Sequence, residues 1–309
     1  MTRNIPARVT VVEVGPRDGL QNETNILTSE DRARFVDLLA AAGLPVIESG
    51  AFVSPTWVPQ MACTEDVLAR ASRRPGVRYT ALVPNLTGLE RAAAAGVTEV
   101  AIAAAASETF SRRNINRSID ESLRAYSTVC TRAAALSIRV RAYLSTCFGC
   151  PYEGPVPTAR VARLCRALVD MGAFEVAVSD TIGVAHPKQV WDVLDAVQAA
   201  VPIAQVALHL HDTRGTALAN VLAGLQAGIA TFDASCGGLG GCPYAPGAAG
   251  NLATEDLVYL LDGLGVASGV SLAGLVAASD FIAARVTQAL PSRVYRAAKA
   301  SSGREDCRV

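Results

Sequence analysis

Residues 174–215 read FEVAVSDTIGVAHPKQVWDVLDAVQAAVPIAQVALHLHDTRG, and this stretch decides the fold class. Two runs rich in Val and Ala, residues 174–179 and 205–210, flank a segment, residues 187–200, whose apolar positions recur at helical spacing. Pro187 suits a first helical turn. The segment between the two runs is long enough to return the second strand parallel to the first. Polar residues gather where each strand ends, SDT after the first and HLHDTRG at the second.

Working outward from this βαβ unit, strand candidates lie at residues 10–14, 46–48, 78–83, 99–103 and 139–144 before it, and at 231–234 after it. With the two inside the unit they make eight. Helix candidates fall between them at residues 29–42, 86–95, 119–136, 158–171 and 216–227. Thr28 or Ser29 can cap the first, and Gly43, Gly96, Gly172 and Gly228 follow helix ends. Eight strands and eight crossovers, with no linker rich in Pro, Gly and Ser, predict a closed TIM (β/α)8 barrel of the α/β class over a doubly wound open sheet. The chain, residues 1–309, reads as one catalytic domain, with the barrel over about residues 8–264 and additional C-terminal helices over about residues 265–309, their clearest segments ending near residue 289.

Half of the residues are hydrophobic, enough for a large buried core. Lys plus Arg equals Asp plus Glu at 28 each, with no sustained block of like charge, so neither nucleic acid nor a membrane is an expected partner. The first residues carry Arg3, Pro6 and Arg8 without an apolar leader core, and the long apolar stretches are interrupted, as by Glu99; a cytoplasmic location is the expectation. Eight cysteines without an export signal read as reduced thiols. The terminal Cys307, Arg308 and Val309 only faintly match a peroxisomal address and read as a frayed tail.

In a barrel, chemical groups come from strand C-termini and the loops after them. GPRDGLQNE, residues 15–23, follows the first strand and offers Arg17 and Asp18 to the mouth; Glu48 closes the second strand and Asp180 follows the sixth. His209 and His211 are two apart at the end of the seventh, so strand alternation turns both imidazoles to one side. Two imidazoles beside a carboxylate are metal-ligand geometry, and the alternative is a pair of hydrogen-bonded core histidines. The chain has only three histidines, which favours ligation. After the eighth strand comes GGLGGCPYAPGAAGN, residues 237–251, too glycine-rich for an ordinary connector. It lacks the Lys and spacing of a phosphate loop and reads as a mobile lid, with Cys242 either a proton-transferring thiol or an inert one. Cys147 and Cys150 form a single C-x-x-C with no second pair, which suits packing under the GCPYEG loop better than zinc.

Taken in order, VEVGPRDGLQNE, FVSPTWVPQM, NINRSIDES, GCPYEGPV, SDTIGV, HLHDTRG and GGLGGCPYAPGAAGNLATEDLVY resemble the hydroxymethylglutaryl-CoA lyase family, in register from about residue 10 to about residue 262. The resemblance implies cleavage of 3-hydroxy-3-methylglutaryl-CoA to acetoacetate and acetyl-CoA, a retro-Claisen reaction assisted by Mg²⁺ or Mn²⁺ with no organic cofactor beyond the CoA of the substrate. It implies Asp18, His209, His211 and Asn251 as metal ligands. Arg17 would neutralise the forming enolate, Glu48 and Asp180 would hold the polar network, and Cys242 would serve as the loop thiol, with Asp18 first among the candidate bases. An acyl-CoA substrate and a homo-oligomer are the implied partners. Thr24, residues 49–52, residues 103–110 and residues 233–241 depart from common versions of the family, which concerns the acyl pocket more than the metal site. The competing readings are a lyase for a longer 3-hydroxy-3-alkylglutaryl-CoA, a related Claisen-type synthase, and a non-catalytic barrel scaffold.

Overall fold

The computed structural model describes residues 5–241 and 250–305. Eight parallel strands, β1 (Thr10–Glu13), β2 (Val46–Ala51), β3 (Arg78–Leu82), β4 (Glu99–Ala105), β5 (Arg139–Ser145), β6 (Ala173–Asp180), β7 (Val206–Leu210) and β8 (Thr231–Ala234), pair in chain order. The barrel closes because β8 pairs with β1, Thr10 beside Thr231 through Glu13 beside Ala234. Helices α1 (Ser29–Ala41), α2 (Thr64–Arg70), α3 (Leu86–Ala94), α4 (Glu108–Ile115), α5 (Ile119–Ala135), α6 (Thr158–Asp170), α7 (Pro187–Gln198), α8 (Ala217–Gln226) and α9 (Thr254–Gly263) follow the strands, two of them between β4 and β5. Then come α10 (Leu272–Ala283) and α11 (Arg293–Glu305).

The boundary signals in the sequence act as their chemistry requires. Thr28, not Ser29, caps α1 by accepting from the Asp31 amide at 3.1 Å. Gly172 and Gly228 end their helices at φ 102° and 92°, a conformation that a side chain would strain. Helices α2, α4 and α9 are additional to the expected segments. The first is only 7 residues long and the second 8, too short for apolar periodicity to show. Helix α11 extends the helical tail beyond residue 289, on a segment polar overall.

Two strand ends also differ. β2 runs on to Ala51, which puts Glu48 mid-strand rather than at its close, and β6 includes Asp180 as its last residue. Both extensions carry Ser, Gly, Ala or Asp, residues whose β propensity is low and whose strand conformation comes from pairing with neighbours already in place. Residues Gly15–Gly19 form a single π-helical turn.

Small residues open the barrel axis. Ala101, Ala177 and Ala207 on β4, β6 and β7 cluster around Tyr143 of β5. Side chains there are short where barrels usually place branched ones, so Arg141, Tyr143 and the histidines fill the interior. The outer core of Val, Leu and Ile packs between strands and helices.

The C-terminal extension returns to the barrel. The Ser271 amide donates to the Ala42 carbonyl at 2.7 Å, and Arg285 Nε lies 2.6 Å from Asp31 on α1. Ahead of α11, Ser292 Oγ donates to Asp256 at 2.8 Å, and Arg293 pairs with Asp212 at 2.7 Å. These contacts carry the segment across the mouth-side loops that follow β7 and β8.

Candidate active site

The π-turn after β1 lifts Arg17 and Asp18 over the C-terminal end of the barrel. His209 lies within β7, and His211, just beyond it, forms a bridge with Asn251. Strand alternation puts the two imidazoles side by side, Nε2 to Nε2 at 3.3 Å. Asp18 Oδ2 is 4.0 Å from His209 Nε2, and Asn251 Nδ2 donates to that same oxygen at 2.8 Å. One ligand atom each from Asp18, His209 and His211 falls within 4.8 Å of the others. Asp18, His209 and His211 therefore converge, and Asn251 joins them through Asp18 and its bridge to His211.

The donor set fits a cation. Asn251 gives its amide hydrogens to Asp18 and to the Leu239 carbonyl, while its Oδ1 is buried with no partner among the described residues. A buried acceptor without a donor is costly unless something electropositive meets it. Burial, together with the neighbouring His209, pushes the His211 imidazole down to about 4, so it is neutral and able to donate a lone pair at ordinary pH. Burial opposes ionisation of Asp18, but Arg17 and the two imidazoles outweigh it and hold the carboxyl well below its usual range. Two nitrogens, a carboxylate and an amide oxygen are ligands for a divalent cation.

Beside this cluster stands a charge clamp. Arg17 Nε donates to Glu48 Oε2 at 2.6 Å, and Nη1 to Asp18 Oδ1 at 2.5 Å. Burial works against the guanidinium's charge, but the two carboxylates more than restore it and raise its pKa. Glu48 is raised by burial and pulled back by Arg17; its Oε1 is also without a partner among the described residues. Tyr143 donates to Glu48 Oε2 at 3.2 Å, and the Arg17 guanidinium lies 5.2 Å from its ring centroid.

Asp180 is not brought into this group. Its outward register turns the carboxylate into the β6–α7 loop, where Oδ1 and Oδ2 accept from the Val184 and Ala185 amides at 3.0 and 2.9 Å. Burial raises it to about 6 against those two hydrogen bonds. Its hydrogen bonds go to the loop and not to the ligand cluster. Cys242 lies outside the described residues, as does most of the loop read as a lid, and so does Cys307. Cys147 and Cys150 are buried, with Sγ atoms 2.9 Å from the Leu144 carbonyl and from Ser107 Oγ respectively, as packing under the GCPYEG loop requires.

Sequence reading missed Tyr143, Arg141 and Asp233. Asp233 of β8 stands beside His209 in the strand register, with Oδ2 3.2 Å from His209 Nδ1. Arg141 crosses the axis to hold Asp233 at 2.8 and 3.1 Å, and its Nε donates to Glu175 at 2.6 Å. The available signal was Arg139, Arg141 and Tyr143 alternating within one strand, an inward row that an ordinary apolar core would not carry.

A family model described as HMGL-like matches residues 8–282. The chain belongs to the HMGL-like family. Among relatives of this HMGL-like chain, the mitochondrial hydroxymethylglutaryl-CoA lyase of Rattus norvegicus is 52% identical over 293 residues, covering 95% of this chain and 90% of that protein. The human counterpart, also named mitochondrial, is 50% identical with the same coverage. In fold, the hydroxymethylglutaryl-CoA lyase of Pseudomonas aeruginosa superposes with a TM-score of 0.94 at 50% identity, over 96% of this chain and 99% of that one. An HMG-CoA lyase of Acinetobacter baumannii, solved in complex with coenzyme A and 3-methylmalate, matches with a TM-score of 0.90 at 34% identity, over 94% and 95% of the two chains.

Proposed function

We infer that this chain is a carbon–carbon lyase that cleaves 3-hydroxy-3-methylglutaryl-CoA to acetoacetate and acetyl-CoA. The observation that carries the reading is the convergence of Asp18, His209, His211 and Asn251 beside the Arg17 clamp, in a chain about half identical to hydroxymethylglutaryl-CoA lyases over 95% of its length. The donor set suits Mg²⁺ or Mn²⁺, held by Asp18, His209, His211 and Asn251 Oδ1. When bound, such an ion supplies Lewis acidity toward an alcohol too weakly acidic for a free side chain.

The chain's own groups supply the rest. The substrate's tertiary hydroxyl loses its proton, the bond to the thioester's α-carbon breaks, and its electron pair moves onto the thioester oxygen as an enolate. Protonation of that α-carbon yields acetyl-CoA, and the former carbinol carbon becomes the ketone of acetoacetate. Arg17, fixed by Glu48 and Asp18, brings a full positive charge to the place where the enolate oxygen develops, which stabilises the transition state more than the ground state. Tyr143 and Glu48 hold the guanidinium without reorganisation. Of the two carboxylates weighed as base, Asp180 is turned into the β6–α7 loop, whereas Asp18 lies within the ligand cluster, 4.0 Å from His209 Nε2. Arg17 and the imidazoles keep Asp18 ionised, the form that can accept a proton.

The test is acetyl-CoA release from a panel of 3-hydroxy-3-alkylglutaryl-CoA thioesters after EDTA treatment, with Mg²⁺ or Mn²⁺ then restored. Preference for the methyl compound and recovery with metal are expected; release that is indifferent to EDTA, or absent with both ions, overturns the reading. Preference for a longer alkyl group moves the assignment to the longer-chain lyase. Homo-oligomerisation and a cytoplasmic location complete the proposal, checked by sedimentation and by cell fractionation.

A further inference from the structure

The two imidazoles of the site are not held alike. His209 has a carboxylate behind it, Asp233 Oδ2 at 3.2 Å from Nδ1, whereas Nδ1 of His211 is buried without a partner among the described residues. Asp233 is itself fully buried, and a lone carboxylate there would be expensive. Arg141 removes that cost by presenting two guanidinium hydrogens, Nη2 to Oδ1 at 2.8 Å and Nη1 to Oδ2 at 3.1 Å. Its third contact, Nε to Glu175 at 2.6 Å, fixes the rotation of the guanidinium plane. The geometry follows from barrel closure. His209 and Asp233 are register partners on β7 and β8, Arg141 and Glu175 are register partners on β5 and β6, and the two pairs meet across the axis.

We propose that Asp233, held by Arg141 and Glu175, is a positioning residue that fixes His209 with its hydrogen on Nδ1, so that the Nε2 lone pair faces Asp18 and His211. An ionised carboxylate can only accept, so the Nδ1 hydrogen is the one it selects. The opposite tautomer would put a hydrogen on Nε2, 3.3 Å from His211 Nε2, and remove one ligand from the cluster. Glu175, Arg141, Asp233 and His209 thus form a continuous buried line from the barrel interior to the mouth. None of the first three reaches the convergence point; they act through His209. This rests on the metal reading of the site.

The test has two arms. In metal-free wild-type protein labelled with ¹⁵N-histidine, only three histidines contribute, and His209 should show a protonated Nδ1 and a bare Nε2. A protonated Nε2 overturns the proposal, and this arm needs no variant to fold. In the second arm, Mn²⁺ binding is measured by electron paramagnetic resonance and calorimetry. Asp233→Asn can donate to Nδ1 and so permits the wrong tautomer; its Mn²⁺ Kd should rise about 10–100-fold. Arg141→Lys keeps the charge but loses the fork and should fall between the two proteins. Wild-type binding with an unaffected Asp233→Asn overturns this inference alone. A wild-type protein that takes up no Mn²⁺ overturns the metal reading and this inference with it.

Discussion

Arg17 lies between Glu48 and Asp18, 2.6 Å and 2.5 Å away, and its removal separates two effects that are easily confused. Arg17→Met should lower kcat by about 10²–10³-fold, because a fixed charge at a developing oxyanion is worth that much. The same variant leaves buried Glu48 unpaired and should melt at a lower temperature, yet still bind Mn²⁺, because Arg17 holds Asp18 through Oδ1 and not through Oδ2, the oxygen beside His209; turnover, melting and metal analysis on one preparation distinguish these. Near-normal turnover would contradict the role. His211 gives the pH counterpart. In the metal-free protein its folded pKa of about 4 lies below the 6.5 of an unperturbed histidine, mainly through burial and then through His209. Between those values the unfolded chain binds the extra proton, so the stabilisation present above pH 6.5 is lost as pH falls toward 4, by roughly 3 kcal/mol at most. Denaturant titrations across that window should show the loss, and His211→Asn should flatten it.

At the level of elements, the glycine run after β8 has a packing role in its described part. Its excess of glycine suggested a moving lid. At Gly237, Gly238, Gly240 and Gly250 the backbone packs against neighbours too closely for a side chain. A Cβ on Gly240, at φ 119°, would stand 2.6 Å from Asn251 Nδ2, and one on Gly250 would stand 1.9 Å from the Gly240 carbonyl oxygen. Gly237 and Gly238 likewise meet Leu290 and Pro291 from the segment between α10 and α11, so the C-terminal helices buttress the loop. Gly240→Ala should therefore displace the Asn251 amide and weaken Mn²⁺ binding by about tenfold or more, comparable to losing support behind a ligand. An unchanged Kd, measured by calorimetry, would mean that Asn251 is not held in this way. The strand ends at Glu48 and Asp180 teach the complementary lesson: alternation within β6 assigns Asp180 outward, a matter of one residue that no spacing between motifs could resolve.

Across the whole molecule, the ligand set joins the beginning of the barrel to its end. Asp18 follows β1, His209 lies in β7 with His211 just after it, and Asn251 lies beyond β8, three segments whose proximity exists only in the closed barrel. Metal binding is then coupled to global stability. Ion at about 100 times its Kd should stabilise the folded state by roughly 2.7 kcal/mol, a rise of several degrees in Tm for a domain of this size. Thermal melts before and after EDTA, and again with Mg²⁺ or Mn²⁺, check it; a Tm indifferent to both would count against a site that bridges the barrel seam.

The chain's own order of residues determined the alternation of strands and helices, the cap of α1 and the glycine ends of several helices, and the facing of His209 and His211, because these depend on patterns along one segment. It also carried the family's motifs in order, and so the residues proposed as ligands. Only the tertiary structure decided which charged groups meet. Asp233 reaches His209, Arg141 crosses to Asp233, and Asp180 turns away, because barrel closure and strand register fix those distances between segments far apart in sequence.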